Sequence, residues 1–224
     1  GQFEGTEPIR GFGAVAGVYE EACQIVVRAD SEISTVEELE GHRVSVGEEE
    51  SGTKQNALQI LAAYGLNEKL VEEVSLNYTE AAKELENGSI DAFFCTAGAQ
   101  TAAIANLAQR TGIRFLNVDG AAAARLKKSY PVYDSCIIAA GTYPGQEEDV
   151  STVGVKAVLL ASDSVSAEVV EELTALLFEE QQELDFALPV ELITDADAAA
   201  DGISVPFHKG AERYYESRGE KSEN

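Results

Sequence analysis

The sequence predicts an α/β fold in two lobes joined by a double crossover. Three observations lead there. Short β-branched runs alternate with amphipathic segments of helical period. Glycine, alone or as Asn-Gly, closes most of the helical segments, as a residue just past a helix end favours. A nearly self-contained α/β stretch, residues 35–146, is bracketed by two apolar runs, CQIVVRA (Cys23–Ala29) and VGVKAVLLA (Val153–Ala161). If the bracketing runs pair, they carry the chain into one lobe and back. Residues 1–34 and 147–224 then belong to lobe 1 and residues 35–146 to lobe 2. A ligand of such a protein is expected in the cleft between lobes.

Each element follows from local chemistry. Cys23–Ala29 is a buried strand. Ser34–Leu39 reads as a short capped helix with early carboxylates, stopped by Gly41. Arg43–Gly47 is a strand. The helix that follows starts at Ser51, carries Ala57, Ile60, Leu61 and Tyr64 at helical spacing, and stops at Gly65. Val71–Asn77 is a weaker strand; Thr79–Leu85 is a helix with Thr79 as its cap, closed by Asn87-Gly88. Ile90–Cys95 is a strand, and a helix runs from Thr101 to Arg110. Ile113–Val118 is another strand. Strands alternating with helices at these lengths predict a mostly parallel sheet. A small Ala-rich helix follows Gly120, and Tyr130-Pro131 and residues 142–146 are turns. After the strand Val153–Ala161, Val165–Leu184 is a long amphipathic helix with Val169, Val170, Leu173, Leu176 and Leu177 on its apolar face.

Asp and Glu number 40 against 16 Lys and Arg, a net charge of −24. That disfavours nucleic acid, whose binding needs clustered cations, and anionic membrane surfaces. No apolar run approaches the roughly 18 residues of a membrane helix. Cys23, Cys95 and Cys136 lack CxxC spacing, which argues against a zinc site or a disulfide framework, although a Cys23–Cys136 bridge stays open. His42 and His208 supply no metal or catalytic cluster, and no cofactor is expected. Ser-His-Asp order and HExxH are missing. Cys95 is the best nucleophile candidate, yet has no basic neighbour in sequence. A binding protein without catalysis is the leading reading; an enzyme or cytosolic effector domain on the same fold is the alternative.

The site expectation rests on two turns. Ser51-Gly52-Thr53 stands where a strand enters a helix, beyond a strand's carboxyl end, where ligands of α/β sheets bind. A helix start offers unpaired N–H groups and roughly half a positive charge, so it would hold a carboxylate or a phosphate oxygen. The same residues would also serve as an ordinary N-cap. Thr96-Ala97-Gly98 occupies the equivalent station before the next helix. Asp91 is expected to brace the turn before its strand. Glu48-Glu49-Glu50 would repel an anion, so the run either points into solvent or pairs with a ligand's ammonium group.

Several stretches, in order, resemble one family: Tyr19-Glu20-Glu21 before QIVVRADSEI, TVEELEGHRVSVG, SGTKQNALQILAAYGL, NGSIDAFFCTAGAQTAAI, TYPGQEEDVSTVGVKAVLL and PFHKGAERYYESRG. Together they are similar to the TAXI family, TRAP-associated extracytoplasmic immunogenic proteins. These are solute receptors of tripartite ATP-independent periplasmic (TRAP) transporters. The resemblance covers nearly the whole chain. It implies a two-lobed, periplasmic-binding-protein-like (type II) fold with hinge crossovers and a location outside the cytoplasm, periplasmic or lipid-anchored. It also implies capture of a small organic acid, a dicarboxylate or glutamate-like amino acid, for delivery to TRAP membrane subunits. Ser51, Gly52 and Thr53 would grip a carboxylate with Thr96, Ala97 and Gly98 beside them. Tyr19 would face the cleft from the other lobe, and Tyr143 would be a hinge or cleft-wall residue. Family members begin earlier, so lobe 1 is expected to lack its N-terminal part here. They also carry small residues and Pro before SGT, where this chain has Glu48-Glu49-Glu50.

Overall fold

The computed structural model describes residues 9–179 and 190–222, the side chains through residue 218. The chain forms two compact units: a terminal unit, Gly1–Tyr19 with Ala157–Asn224, and a central unit, Glu20–Lys156. The passage between them lies inside two long strands, β1 (Phe12–Arg28) and β7 (Val150–Ser162).

In the central unit, β1 is followed by a 3-10 turn at Glu37–Leu39, β2 (Arg43–Ser45), α1 (Gly52–Ala63), β3 (Glu72–Val74) and α2 (Tyr78–Glu86). Then come β4 (Ala92–Ala97), α3 (Ala102–Arg110), β5 (Ile113–Phe115), α4 (Gly120–Ser129), β6 (Tyr133–Ile138) and the start of β7. The strand order is β3-β2-β4-β1-β7-β6, with β5 paired to β1.

Side-chain alternation explains why these strands read as continuous apolar runs. On β1, Cys23, Ile25 and Val27 enter one core with Ile60 and Leu61 of α1 and Leu126 of α4. Ala22 and Val26 enter a second core with Leu85 of α2 and Ile104 and Leu107 of α3. On β4, Ala92 and Phe94 face the first core, Phe93 and Cys95 the second. A strand covered on both faces has no polar side to show.

The sheet is mixed rather than mostly parallel. β2 pairs parallel with β3 and β4, while β1–β4, β1–β5 and β6–β7 are antiparallel. Apolar periodicity reports which faces are buried, not which way a neighbour runs. The expected helix at Ser34–Leu39 shrinks to the 3-10 turn. There the Glu38 carboxylate accepts from the Ser34 amide at 2.7 Å and the Ser34 hydroxyl at 2.8 Å, tying up the cap. The cap of α2 is Asn77, in a capping box with Glu80, not Thr79. β6 lies outside the elements expected from the sequence: four of its six residues are not buried, including Ile137 at 65% exposure, and the apolar Cys136-Ile137-Ile138 covers only its second half.

The terminal unit contains the first half of β1, the second half of β7, α5 (Ala167–Glu179), α6 (Ala196–Ala200) and α7 (Lys209–Ser222). α5 packs on α7 through Gly210, where a Cβ would come within 2.7 Å of the Glu171 nitrogen and 2.8 Å of the Val170 Cβ. Phe178 stacks on Tyr214 at 5.9 Å. That close packing keeps Val170 and Leu177 of the expected apolar face inside, adds Thr174, and leaves Val169, Leu173 and Leu176 exposed, against expectation. Residues 180–184 of the expected helix lie outside the described residues.

Cys23, Cys95 and Cys136 are all free thiols, so the Cys23–Cys136 bridge is not formed. Ser45 is fully buried, and its Oγ has no hydrogen-bond partner among the described residues. Because burying an unpaired hydroxyl costs free energy, Ser45→Ala should leave stability unchanged or raise it by about 1 kcal/mol, read as the urea midpoint.

Candidate functional site

Parallel β2 and β4 lie side by side, with Val44 opposite Ala92 and Ser45 opposite Phe93, so their carboxyl ends open at one edge of the sheet. Each strand leads through a short turn into a helix, α1 and α3 respectively. Among the described residues, the two non-glycine residues with positive φ, Glu50 (62°) and Gln100 (65°), each precede the N-cap of one of these helices. That conformation is uncommon for residues with a Cβ.

Ser51 is the N-cap of α1. Its Oγ accepts from the Lys54 amide at 3.1 Å and donates to the Glu48 carbonyl at 2.7 Å. One amide of the helix start is therefore sealed by the cap. Gly52 and Thr53 occupy the first two helical positions, whose amides have no acceptor within the helix. Gly52 is exposed; Thr53 is 5% exposed with its hydroxyl turned inward, 2.6 Å from the Tyr78 hydroxyl. Tyr78 in turn donates to the Thr96 carbonyl at 2.9 Å. The Thr96 Oγ accepts from Asn56 Nδ2 at 3.2 Å. The two expected stations are thus brought together, and Tyr78 and Asn56 join them.

A groove of about 400 Å³ opens at the α1 start, with Glu48, Ser51 and Thr53 on one side and Leu76 to Thr79 on the other. Those last residues contain the N-cap and first turn of α2, so the N-termini of α1 and α2 share one groove. Sequence reasoning paired α1 with α3 instead. At α3, Thr101 makes no side-chain cap; its hydroxyl donates to the Gly98 carbonyl at 2.9 Å. Ala97 pairs with Ala22 of β1, and its carbonyl lies 3.5 Å from Gln24 Nε2.

Tyr143 is 1% exposed, inside the second core, with its ring 5.2 Å from that of Phe115. Its hydroxyl donates to Gln24 Oε1 at 2.6 Å and accepts from the Thr101 amide at 3.1 Å. It therefore acts behind the Thr96–Gly98 turn, holding the entry to α3 from inside. Burial, the dominant cause, raises the Tyr143 pKa above that of an ordinary phenol. Tyr19 belongs to the terminal unit, where it is half-buried and bridges antiparallel to Leu192. Sequence reasoning missed Tyr78, Asn56 and Gln24. Gln24 alone left a signal: it is a lone amide inside a β-branched run, and it is 1% exposed.

The three consecutive glutamates separate in space. Glu49 pairs with the Lys54 ammonium at 2.7 Å and accepts from the Ser75 hydroxyl at 2.7 Å. Those hydrogen bonds, Lys54 first, hold its carboxyl below the usual range. Glu48 lines the groove. Asp91 ties the entry of β4 to the start of β2, accepting from the Arg43 amide at 2.9 Å, while the turn before its strand is braced by Asn87, which accepts from the Ser89 amide at 2.9 Å. No group of three His, Cys, Asp or Glu side chains gathers as a metal site among the described residues.

Cys95 is no nucleophile at neutral pH, because burial pushes its thiol up to about 12 from an ordinary 9.0. Burial also pushes Cys23 and Cys136 up to about 12. All three thiols have raised folded-state values, so their stabilising contribution is complete below about pH 9 and is lost as pH rises through about 12. The urea midpoint should stay flat from pH 7 to about 9 and fall above it. Iodoacetamide at pH 7.5 should leave native Cys95 unlabelled.

A model of the NMT1-like family matches residues 1–219. The chain belongs to the NMT1-like family. In fold, this NMT1-like chain is similar to a TctC solute-binding protein from Polaromonas, solved without ligand. The TM-score is 0.52 at 15% identity, over 98% of this chain and 74% of that one. The periplasmic aliphatic sulphonate-binding protein SsuA from Escherichia coli aligns at TM-score 0.48 and 19% identity, over 97% of this chain and 67% of that one. A periplasmic sulfonate-binding protein SsuA from Methylobacillus flagellatus aligns at 0.49 and 12%, over 94% and 61%. The NMT1-like chain thus spans 61% to 74% of the length of these three proteins. The α/β solute-binding-protein fold expected from the sequence is the fold it has. No helix among its described residues is long and apolar enough to cross a membrane.

Proposed function

We propose that this NMT1-like chain is an extracytoplasmic solute receptor of the TAXI kind. It captures a small carboxylate, a dicarboxylate or glutamate-like amino acid, and hands it to TRAP-type membrane subunits without transforming it. The observation that carries the reading is the pair of helix N-termini, α1 and α2, opening on one groove beside parallel strand ends. There the Gly52 and Thr53 amides donate to a carboxylate, and the helix dipole favours its charge. The net charge of −24 does not forbid this, since salt screens exposed charges beyond about 8–10 Å. Thr96, Ala97 and Gly98 border the carboxylate grip, and Tyr143 and Tyr78 keep that turn in place. The two strand crossings, at Tyr19–Glu20 and Lys156–Ala157, would be the hinge.

Thermal melts against a panel of small mono- and dicarboxylic acids and amino acids test the reading. An acid present at about 100 times its Kd should stabilise the chain by about 2.7 kcal/mol. If no acid raises the Tm at millimolar concentration, the receptor assignment fails.

A further inference from the structure

We propose that Glu48 sets the charge selectivity of the groove, which takes a carboxylate carrying a cationic nitrogen in preference to a dianion. The proposal rests on the groove being the ligand site.

Glu48 stands on the α1 side of the groove with Ser51 and Thr53. Its backbone is pinned there, because its carbonyl accepts from both the Ser51 hydroxyl at 2.7 Å and the Ser51 amide at 3.2 Å. Its side chain therefore springs from a fixed backbone point on the groove wall that also carries the Gly52 and Thr53 amides, which have no acceptor within the helix. The neighbouring cation is already used: the Lys54 ammonium lies 2.7 Å from Glu49, which Ser75 also engages. The rest of the lining is Ser51, Thr53 and Leu76 to Thr79, which carry no formal charge. Among the described residues Glu48 is thus the one ionised side chain on the groove wall, and it is negative.

This arrangement discriminates by charge. The first carboxylate of any ligand meets the α1 amides. A second carboxylate finds no cation on the wall and is repelled by Glu48. An ammonium group in its place gains a charge-assisted hydrogen bond. Glu48 therefore acts against dianions as much as for zwitterions, the repulsive element that selectivity requires.

The test uses matched pairs that differ by one amino group: L-glutamate against glutarate, and L-alanine against propionate. Each is titrated calorimetrically into the 224-residue chain, into Glu48→Gln and into Gly52→Pro. The unsubstituted chain should bind the amino member at least about tenfold tighter. Glu48→Gln should bring that ratio close to one, mainly by tightening the deaminated acids, with the urea midpoint unmoved. A ratio unchanged by Glu48→Gln, or a preference of the unsubstituted chain for glutarate, overturns the proposal while leaving the site reading intact. Gly52→Pro should weaken both members of each pair alike. If it weakens neither, or if no probe binds the unsubstituted chain, the site reading falls and the selectivity inference falls with it.

Discussion

Gly52→Pro should leave the fold intact and weaken carboxylate binding by about ten- to a hundredfold, the loss of one hydrogen bond to a charged group. Gly52 is the first helical residue of α1, a position where proline is favoured because its missing N–H has no acceptor within the helix. Ser51 before it is already extended, at φ −80° and ψ 154°, as a residue preceding proline prefers. Space is available too: a Cβ at Gly52 meets nothing within 4 Å. The substitution therefore deletes the proposed ligand-binding amide and little else. Calorimetric affinity and urea midpoint, measured on the same preparation, separate the two effects. Unchanged affinity in a stably folded variant would remove the helix start from the site.

Tyr143→Phe should destabilise the central unit by about 2–4 kcal/mol. One hydroxyl serves two buried groups, Gln24 Oε1 and the Thr101 amide. Removing it leaves both unpaired, at about 1–3 kcal/mol each. Gln24→Leu should cost a similar amount. The double variant should cost less than the sum, because each single change strands the other's partner. Urea denaturation of the two single variants and the double closes that cycle. Strict additivity would show that the two side chains do not share a bond in solution. Because the Thr101 amide begins α3 directly after the Thr96–Gly98 turn, Tyr143→Phe is also expected to loosen that turn.

Much of the central unit is legible in the chain itself. CQIVVRA and AFFC are apolar without alternation because β1 and β4 are covered on both faces. Gly65 and Gly88, at φ 82° and 78°, end α1 and α2 as glycine past a helix end does. The Ser51-Gly52-Thr53 turn is a helix start by local chemistry alone. Where local signals failed, a competing contact had overruled them, near in the chain at Ser34 and distant at α5. Ser34 is consumed by Glu38, so no helix grows there. Val169, Leu173 and Leu176 carry the helical period of a buried face, yet the close approach of α7 at Gly210 turns the neighbouring stripe with Val170 and Thr174 inward.

By itself the sequence determined the order of most elements of the central unit, with β6 and the Ser34–Leu39 turn as exceptions, the doubly covered strands and the exposed amides that open α1. These depend on propensity, period and capping, which act over a few residues. Only the tertiary structure decided strand direction, the sharing of one groove by α1 and α2, and the withdrawal of Tyr143 into the core behind the turn it supports. The deciding bonds join residues far apart in the chain: Tyr143 reaches Gln24 across 119 positions, and Tyr133 reaches Asn56 across 77. No local pattern encodes which distant residue will satisfy a buried polar group; that choice is made when the layers close and most such groups find a partner, Ser45 Oγ being left without one among the described residues.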